Sequence, residues 1–488
     1  MSSDHVKPQR PDGGQFSNIK SKWLSRHRMA TSHTSVYKKT HKRTEMTCET
    51  SLERLLPEII LRILSCLDAG SLLCISLVNR HFHELTNSNA CSAMWYRFYV
   101  HERNKKKIAN PKNRKKVAPS TVSPQEFPTG YWRNMFFREM SGLSGNTWKK
   151  KLNRIDPYSG MPCYTEEVLR SLCVSWEITV TDGRGQRSTF KQSHAAFSST
   201  AVFLYWGASN WPPFNQLTSL ELHGVLRVPL DCPAAYRPGW KSFMSKIPLQ
   251  GENKELCASD KLVKLLCIGL GVTLGFWQGG WEIAFVILNL HTHRLVERSL
   301  HASVCPHTEA EVSALFDDVD PEFGLHGYSA YIELHNTEKM IMSARHSQLF
   351  CKRDEISDGY LPLEVIGRPN KCLNSQLVSD IRLPWRTEVL HGYIKDCCMM
   401  NLTLWDEAQQ PFWCVTAPVV ITDADADADE DEVSFDVDAE SVSILYHSEE
   451  GRVKIRLKRI KDRDEYSVDS LVIYIPVFKV NEHFGRNY

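Results

Sequence analysis

From about Cys173 to the end of the chain, apolar residues recur at every second position, and this pattern constrains the fold more than any other feature. The segments SWEITVTD, LTSLELHGVLRV, YSAYIELH and DSLVIYIPVFKV alternate in this way, and turn residues separate them. A period of two predicts β-strands with one buried and one exposed face. Because helices do not regularly intervene, the pattern predicts an antiparallel sandwich or barrel of about 300 residues rather than a βαβ fold.

The longest apolar run begins at Leu265, in LLCIGLGVTLGFWQGGWEIAFVILNL. Gln278, Gly279, Gly280 and Glu282 interrupt it, so neither half reaches the roughly 20 residues that a membrane helix requires. The run therefore predicts two buried strands joined by a Gly-Gly turn. We predict no membrane association from it.

The amino terminus and the cysteines predict the cellular compartment. The first 20 residues lack the apolar core of a signal peptide. The 15 cysteines are an odd number without a CxxC pair, which is typical of reduced thiols rather than disulfides or zinc ligands. We therefore predict a protein of the cytoplasm, the nucleus or both.

A different pattern occupies residues 52–85, LERLLPEIILRILSCLDAGSLLCISLVNRHFHEL. Pro57 suits the first turn of a helix, and Ile60, Ile63, Leu64 and Leu67 follow at helical spacing. Two further short helical patterns follow this one. Fewer than about 50 residues in three short helices seldom fold stably alone, so this region implies a binding partner.

The order of residues in this region resembles the F-box. The matching positions are Leu56 and Pro57, Ile63 and Leu64, Leu67, Leu72 and Leu73, Val78 and Arg80, and Trp95. Phe82 stands where the family usually has Trp, which keeps an aromatic anchor. The alternative, that these positions only form the core of a helical domain, does not explain the order of several motifs. The long β-rich remainder makes the whole chain resemble the F-box-only proteins.

The resemblance implies that the helices bind a Skp-type adaptor, which links the chain to the cullin scaffold and RING subunit of an SCF-type ubiquitin ligase. The chain would be a non-catalytic receptor that presents a protein substrate. The predicted adaptor-binding residues are Leu56, Pro57, Ile60, Ile63, Leu64, Leu67, Leu72, Leu73, Val78, Phe82 and Trp95. For the unknown substrate, the aromatic loop YWGASNWPPFN suggests Trp206, Trp211 and Phe214, although core packing is an alternative for each of them.

The predicted domain organisation is an α+β multidomain chain. A disordered basic arm at 1–50 precedes the three-helix F-box at 51–100, and a basic linker with connecting helices covers 101–171. The β-rich substrate-binding domain spans 172–488 and contains an acidic loop at 423–440.

Two charged runs and a histidine pair could suggest other functions. The basic run at 101–117 lacks interleaved aromatics, which favours a solvated linker over a nucleic-acid site. The acidic run has no frame with the Gly and Glu positions of an EF-hand. His291 and His293 alternate without a third ligand, which favours a partly exposed strand over a metal site. We predict neither a metal nor a cofactor.

A second class of function stays open at this point. The sequence contains neither a GxSxG elbow nor a P-loop, which is consistent with a receptor that has no catalytic residues. The alternative is a β-barrel that binds a small ligand or acts as an enzyme, with the F-box controlling only its turnover. Tryptophans of the β-rich region could line an apolar pocket in such a barrel.

Overall fold

The computed structural model describes residues 55–109, 127–145, 147–206, 211–212, 216–233, 237–249, 256–268, 271–280, 282–305, 307, 325, 327–367, 376–378, 380–423, 441–460 and 465–488. The chain divides into two compact units, residues 1–60 and 61–488. No helix in the described part of the chain is long and apolar enough to cross a membrane. The predicted basic arm at 1–50 lies outside the described residues, as does nearly all of the acidic loop.

Helices dominate the first part of the described chain. They are α1 (Pro57–Leu64), α2 (Ala69–Ser76), α3 (Arg80–Asn87), α4 (Asn89–Ala109), α5 (Tyr131–Met140), α6 (Thr147–Leu152), α7 (Thr165–Ser171), α8 (Leu295–Leu300) and α9 (Val477–Phe484). The first three are the short helices that the apolar spacing predicts. The sequence AMWYRFYV, which follows them, lies within the longer α4.

Strands make up most of the described residues after Ser175. They are β1 (Ser175–Asp182), β2 (Arg187–Lys191), β3 (His194–Phe197), β4 (Ala201–Tyr205), β5 (Leu217–Arg227), β6 (Gly239–Pro248), β7 (Leu256–Ser259), β8 (Val263–Cys267), β9 (Val272–Trp277), β10 (Ile283–Asn289), β11 (Ser329–His335), β12 (Met340–His346), β13 (Tyr360–Ile366), β14 (Gln376–Val378), β15 (Arg382–Arg386), β16 (His391–Lys395), β17 (Cys397–Trp405), β18 (Pro411–Asp423), β19 (Ser441–Ser448), β20 (Gly451–Ile460) and β21 (Glu465–Pro476).

These strands form four sheets, and every strand pairing among the described residues is antiparallel. The sheet orders are β2-β1-β5-β6, β3-β4-β10-β9-β8-β7, β12-β11-β17-β18-β19-β20-β21-β13 with β14 on β21, and β15-β16. The predicted fold class, a small helical F-box region followed by a large antiparallel β domain, is confirmed.

Strands buried on both faces show how the layers stack. In β10, Val286 lies in a core shared with the four-stranded sheet, whereas Phe285 lies in a second core that contains Cys397 of β17. The neighbouring Cys398 points to the other side of β17, into a third core enclosed by the nine-stranded sheet. In the described part of the chain, these three apolar cores lie between the sheets, as in a sandwich.

Two local predictions have different outcomes. The apolar run from Leu265 does contain two strands, β9 and β10, joined through a turn at Gly279 and Gly280. The expectation that His291 and His293 lie on a strand is wrong, because β10 ends at Asn289 and both histidines lie in the turn before α8. Backbone hydrogen bonds close that turn, including one from the Thr292 amide to the Asn289 carbonyl at 3.2 Å.

Candidate functional site

Helix α1 exposes apolar side chains that a soluble helix normally buries. The helix begins at Pro57, whose missing N–H has no intrahelical partner in a first turn. Leu56, immediately before it, is 66% exposed, and Ile59 and Ile63 are also exposed. Ile59 and Ile63 are four residues apart, so both side chains lie on one face of α1. Helix α1 therefore presents an apolar stripe to solvent.

The turn between α2 and α3 exposes a second apolar pair, Leu77 and Val78, and Val78 is 69% exposed. Both flanking helices are capped. The Asp68 carboxylate accepts a hydrogen bond from the Ser71 amide at 2.7 Å, and Asn79 accepts one from the Phe82 amide at 2.9 Å. The Ser71 contact holds the pKa of Asp68 below its usual range. The Asn79 cap fixes where α3 starts, and hence where the turn ends.

The remaining predicted adaptor-binding residues have a different environment. Pro57 is exposed and Leu67 is half-buried. The other six are buried: Ile60, Leu64, Leu72, Leu73, Phe82 and Trp95. A buried side chain cannot contact a partner directly, so these six stabilise the helices that carry the exposed residues. Direct contact remains a prediction for Leu56, Pro57, Ile63, Val78 and the exposed part of Leu67.

Trp95 shows how α4 joins the later part of the chain. Its indole Nε1 donates a hydrogen bond to the Thr86 carbonyl oxygen at 3.1 Å. Its ring lies 5.7 Å from Phe136 and 5.6 Å from Phe137, both on α5. The Arg133 guanidinium lies 6.0 Å from the same ring. Trp95 is therefore an internal anchor between α3, α4 and α5, and not an exposed contact residue.

Helix α2 packs against the β domain through Gly70. A Cβ atom added at Gly70 would lie 2.2 Å from the backbone carbonyl oxygen of Asp231, in the segment after β5. That distance is far below van der Waals contact, so only glycine permits this approach. This contact holds α2 against the large β domain. The α2–α3 turn, with Leu77 and Val78, directly follows this fixed helix.

The predicted substrate residues are placed differently. Trp206 is buried, and its Nε1 donates a hydrogen bond to the Phe190 carbonyl oxygen at 3.0 Å. Trp211 is half-buried and stacks on the Phe190 ring at 4.1 Å. Both pack against the core between the four- and six-stranded sheets. Trp206 therefore does not present its ring to a substrate. For Trp211 substrate contact stays a prediction, and Phe214 lies outside the described residues.

Sequence reasoning did not select three exposed residues of the same helical region, Leu55, Ile59 and Leu77. The signal for Ile59 was available, because it precedes Ile63 by one helical turn. Leu77 could not be separated from the buried Leu72 and Leu73 by hydropathy alone. Among the described residues, no group of three His, Cys, Asp or Glu side chains could hold a metal ion.

Comparison with known proteins agrees with this geometry. Residues 54–101 match the F-box-like family, and this range contains α1 to α3 and most of α4. F-box only protein 15 of Macaca fascicularis is 33% identical over 439 residues, covering 88% of this chain and 99% of that protein. The Homo sapiens protein of the same name is 31% identical over 445 residues, covering 90% and 86%.

A third relative supports the same assignment over nearly the whole chain. F-box only protein 15 of Bos taurus is 30% identical over 454 residues, covering 92% of this chain and 96% of that protein. The matches extend through the β-rich region and are not confined to the helices. The sequence-based resemblance to the F-box-only proteins is thus confirmed, and the chain belongs to the F-box only protein 15 family.

Proposed function

We propose that this chain is the substrate receptor of an SCF-type ubiquitin ligase. In this role the exposed apolar residues of the F-box match bind a Skp-type adaptor, which connects the chain to a cullin scaffold and a RING subunit. The β domain binds a protein substrate. The observation that carries the proposal is the exposure of Leu56, Ile59, Ile63, Leu77 and Val78 within a region that matches the F-box-like family.

The energetics of exposed apolar groups support a binding role for this region. Covering a large aliphatic side chain stabilises a complex by about 1.5 to 3 kcal/mol relative to leaving it in water. A small number of residues supplies most of the affinity of a typical interface. The buried residues beneath them keep the helices in place, so the exposed residues need little rearrangement to bind.

A receptor of this kind needs no nucleophile of its own. Holding a substrate lysine near a charged ubiquitin carrier raises its effective concentration, and other subunits perform the transfer. We therefore propose a non-catalytic function. We also propose that the chain acts in the cytoplasm, the nucleus or both, where such ligases meet their substrates.

The test is co-purification of the adaptor with full-length chain. We expect Leu56→Ala combined with Val78→Ala to lower adaptor recovery more than tenfold, because these are two of the most exposed aliphatic residues of the F-box match. The matched control is Leu262→Ala combined with Val389→Ala, which removes an exposed Leu and an exposed Val from the β domain; Val389 is 67% exposed and Leu262 is 48% exposed. Undiminished recovery from the first variant, with an unchanged melting temperature, would contradict the proposal.

A further inference from the structure

The outer face of β20 carries a row of basic side chains. Along this strand Val453, Ile455 and Leu457 are buried in the core of the nine-stranded sheet. The alternate positions are partly exposed and hold Arg452, Lys454, Arg456 and Lys458. Side chains two residues apart on a strand repeat every 6.5 to 7 Å or so. The four cations therefore form an evenly spaced row along one strand.

A groove runs beside the first two of these cations and encloses about 420 Å³. Its walls include Tyr360, Leu445, His447, Arg452, Lys454 and Tyr474, and Asp358 contributes a carboxylate. Lys454 lies opposite the exposed Leu445 on β19, and Arg452 lies opposite His447 on β19 and Tyr474 on β21. The groove thus combines positive charge with apolar and aromatic surface.

The two cations at the groove, Arg452 and Lys454, are not held in ion pairs within the described part of the chain, although Asp358 lines the same groove. No carboxylate there forms an ion pair with Arg452 or Lys454. The Arg452 guanidinium lies 4.3 Å from the Tyr360 ring, and its Nε is buried without a hydrogen-bond partner among the described residues. At the far end of the strand, by contrast, Lys458 Nζ lies 3.2 Å from an Asp469 carboxylate oxygen.

A second groove on the β domain shows the opposite arrangement. It encloses about 260 Å³ and is lined by Arg187, Glu221 and Lys241. Glu221 pairs with Arg187, and Lys241 Nζ lies 3.5 Å from Glu177 Oε2. Arg227 pairs with the same Glu177 at 2.7 Å. Charges in this second groove are satisfied internally, so the groove at β20 is the better candidate for an external anion.

We propose that the groove at β20 binds an acidic, extended segment of a protein substrate. The inference rests on the proposed receptor function and names the substrate chemistry that the β domain recognises. In an extended peptide, side chains at positions i and i+2 have the same repeat as the outward positions of β20. Two alternate carboxylates can therefore face Arg452 and Lys454 together.

The lining of the groove favours a peptide with spaced acidic residues over a polymer with continuous negative charge. An arginine guanidinium forms paired hydrogen bonds with a carboxylate, which adds geometric selectivity to attraction. Leu445 provides an apolar contact for a side chain between the acidic residues, and the Asp358 carboxylate disfavours continuous negative charge at the groove end. An extended segment with spaced acidic residues satisfies both features.

The probe is a fluorescein-labelled nonapeptide that alternates glutamate with threonine, and anisotropy measures its binding to full-length chain. We expect binding that weakens more than fivefold when NaCl rises from about 50 to 500 mM, because salt screens the attraction. A peptide of the same composition with the sequence EETTEETTE, which has no two glutamates at positions i and i+2, is expected to bind several-fold more weakly. Equal affinity for the two peptides would overturn the proposed spacing requirement.

Charge reversal locates the site. Arg452→Glu combined with Lys454→Glu is expected to lower affinity more than tenfold. The matched control is Arg382→Glu combined with Lys395→Glu, an Arg-Lys pair that lies directly opposite across β15 and β16. The control is expected to change affinity less than twofold. An equal loss of peptide affinity in both variants would overturn the proposed site. Unchanged affinity in the Arg452→Glu, Lys454→Glu variant would also overturn it. Melting temperatures show whether each variant is folded, and the milder Arg452→Gln with Lys454→Gln replaces the first if it is not.

Two other occupants are outcomes of the same experiment. Equally tight binding of a nine-nucleotide oligothymidylate would assign the face to nucleic acid and overturn the proposal. If the peptide binds only after residues 424–440 are deleted, the β20 face binds the chain's own acidic run, and the proposal is likewise overturned. Adaptor recovery, measured in each sample, tests the receptor role separately, because Leu56→Ala with Val78→Ala changes adaptor recovery without touching the groove.

Discussion

At the scale of single residues, His335 is held neutral by its surroundings. It lies in a buried polar cluster where its Nδ1 is 3.1 Å from the Asn336 carbonyl oxygen and its Nε2 is 3.1 Å from the Asn289 amide nitrogen. Nδ1 therefore donates and Nε2 accepts, which is the pattern of an uncharged imidazole. Burial, and to a smaller extent the nearby His291, lowers the pKa of His335 to about 4.

Neighbouring Glu333 completes the cluster. It is almost fully buried, and His291 Nδ1 lies 3.2 Å from its Oε1. Burial is the largest single influence and raises the pKa of Glu333, but the interactions with His291, His335 and Asn401 together outweigh it and keep that pKa below its usual range. Glu333 thus contributes stability at neutral pH that is lost as the pH falls through its lowered pKa.

We predict that His335 makes the fold sensitive to mild acid. Between the unfolded pKa of 6.5 and the folded pKa of about 4, the unfolded chain binds a proton that the folded chain does not. Stability is therefore complete above that window and falls as the pH drops through it, by about 2 kcal/mol between pH 7 and 5. His335→Gln should remove that part of the pH dependence of the melting temperature.

The control for this measurement is His391→Gln, which removes an exposed histidine of β16. Its melting temperature should follow that of the unmodified chain at every pH. Identical pH profiles for the chain and its His335→Gln variant would contradict the assignment of acid sensitivity to His335.

At the scale of secondary-structure elements, the position of α2 depends on one close approach. Gly70 is the second residue of α2, and within a helix alanine is a better helix former than glycine. Here the added methyl would meet the Asp231 backbone, which cannot move aside as a side chain can. Helix propensity therefore predicts that Gly70→Ala raises the free energy of unfolding, whereas packing predicts that it lowers it.

We predict that Gly70→Ala lowers the free energy of unfolding by about 1 to 3 kcal/mol despite the better helix propensity of alanine. Gly279→Ala is the control, because a Cβ there would meet no atom within 4 Å. Chemical denaturation of both variants measures the difference. Stabilisation by Gly70→Ala would mean that α2 does not pack on the segment after β5.

At the scale of the whole molecule, the core of the β domain also includes helices that precede its first strand. Leu152 on α6 and Val168 and Leu169 on α7 are buried in the core between the four- and six-stranded sheets. Gly160, between these helices, lies so close to Trp405 of β17 that a Cβ would be 2.7 Å from the indole Nε1. These helices are part of the β domain core, although they precede residue 172, where the sequence predicts the domain to begin. The exact domain boundary stays a prediction.

We predict that a fragment of residues 147–488 folds with a higher melting temperature than one of residues 172–488. The shorter fragment loses three buried aliphatic side chains, each of which contributes about 2 to 5 kcal/mol by comparison with core truncations. Circular dichroism should show β structure in both, with a lower melting temperature for the shorter fragment. Equal melting temperatures would show that α6 and α7 are dispensable.

Local sequence patterns are sufficient to specify the structural class of each region. Alternating residues such as Val453, Lys454 and Ile455 specify a strand with two unlike faces, and Ile59 and Ile63 specify a helix face, because both periodicities are local properties of the backbone. The ordered F-box positions also indicate the family from the sequence alone.

Which apolar residues are exposed and which are core depends on the tertiary fold. Leu56 and Leu64 are equally hydrophobic in sequence, yet one is exposed and the other buried, because burial depends on what packs above each residue. The same holds for charge: Arg452 and Arg227 are alike in sequence, but Arg227 pairs with Glu177 of a neighbouring sheet strand. Strand neighbours distant in sequence decide such pairings, and local patterns do not contain them.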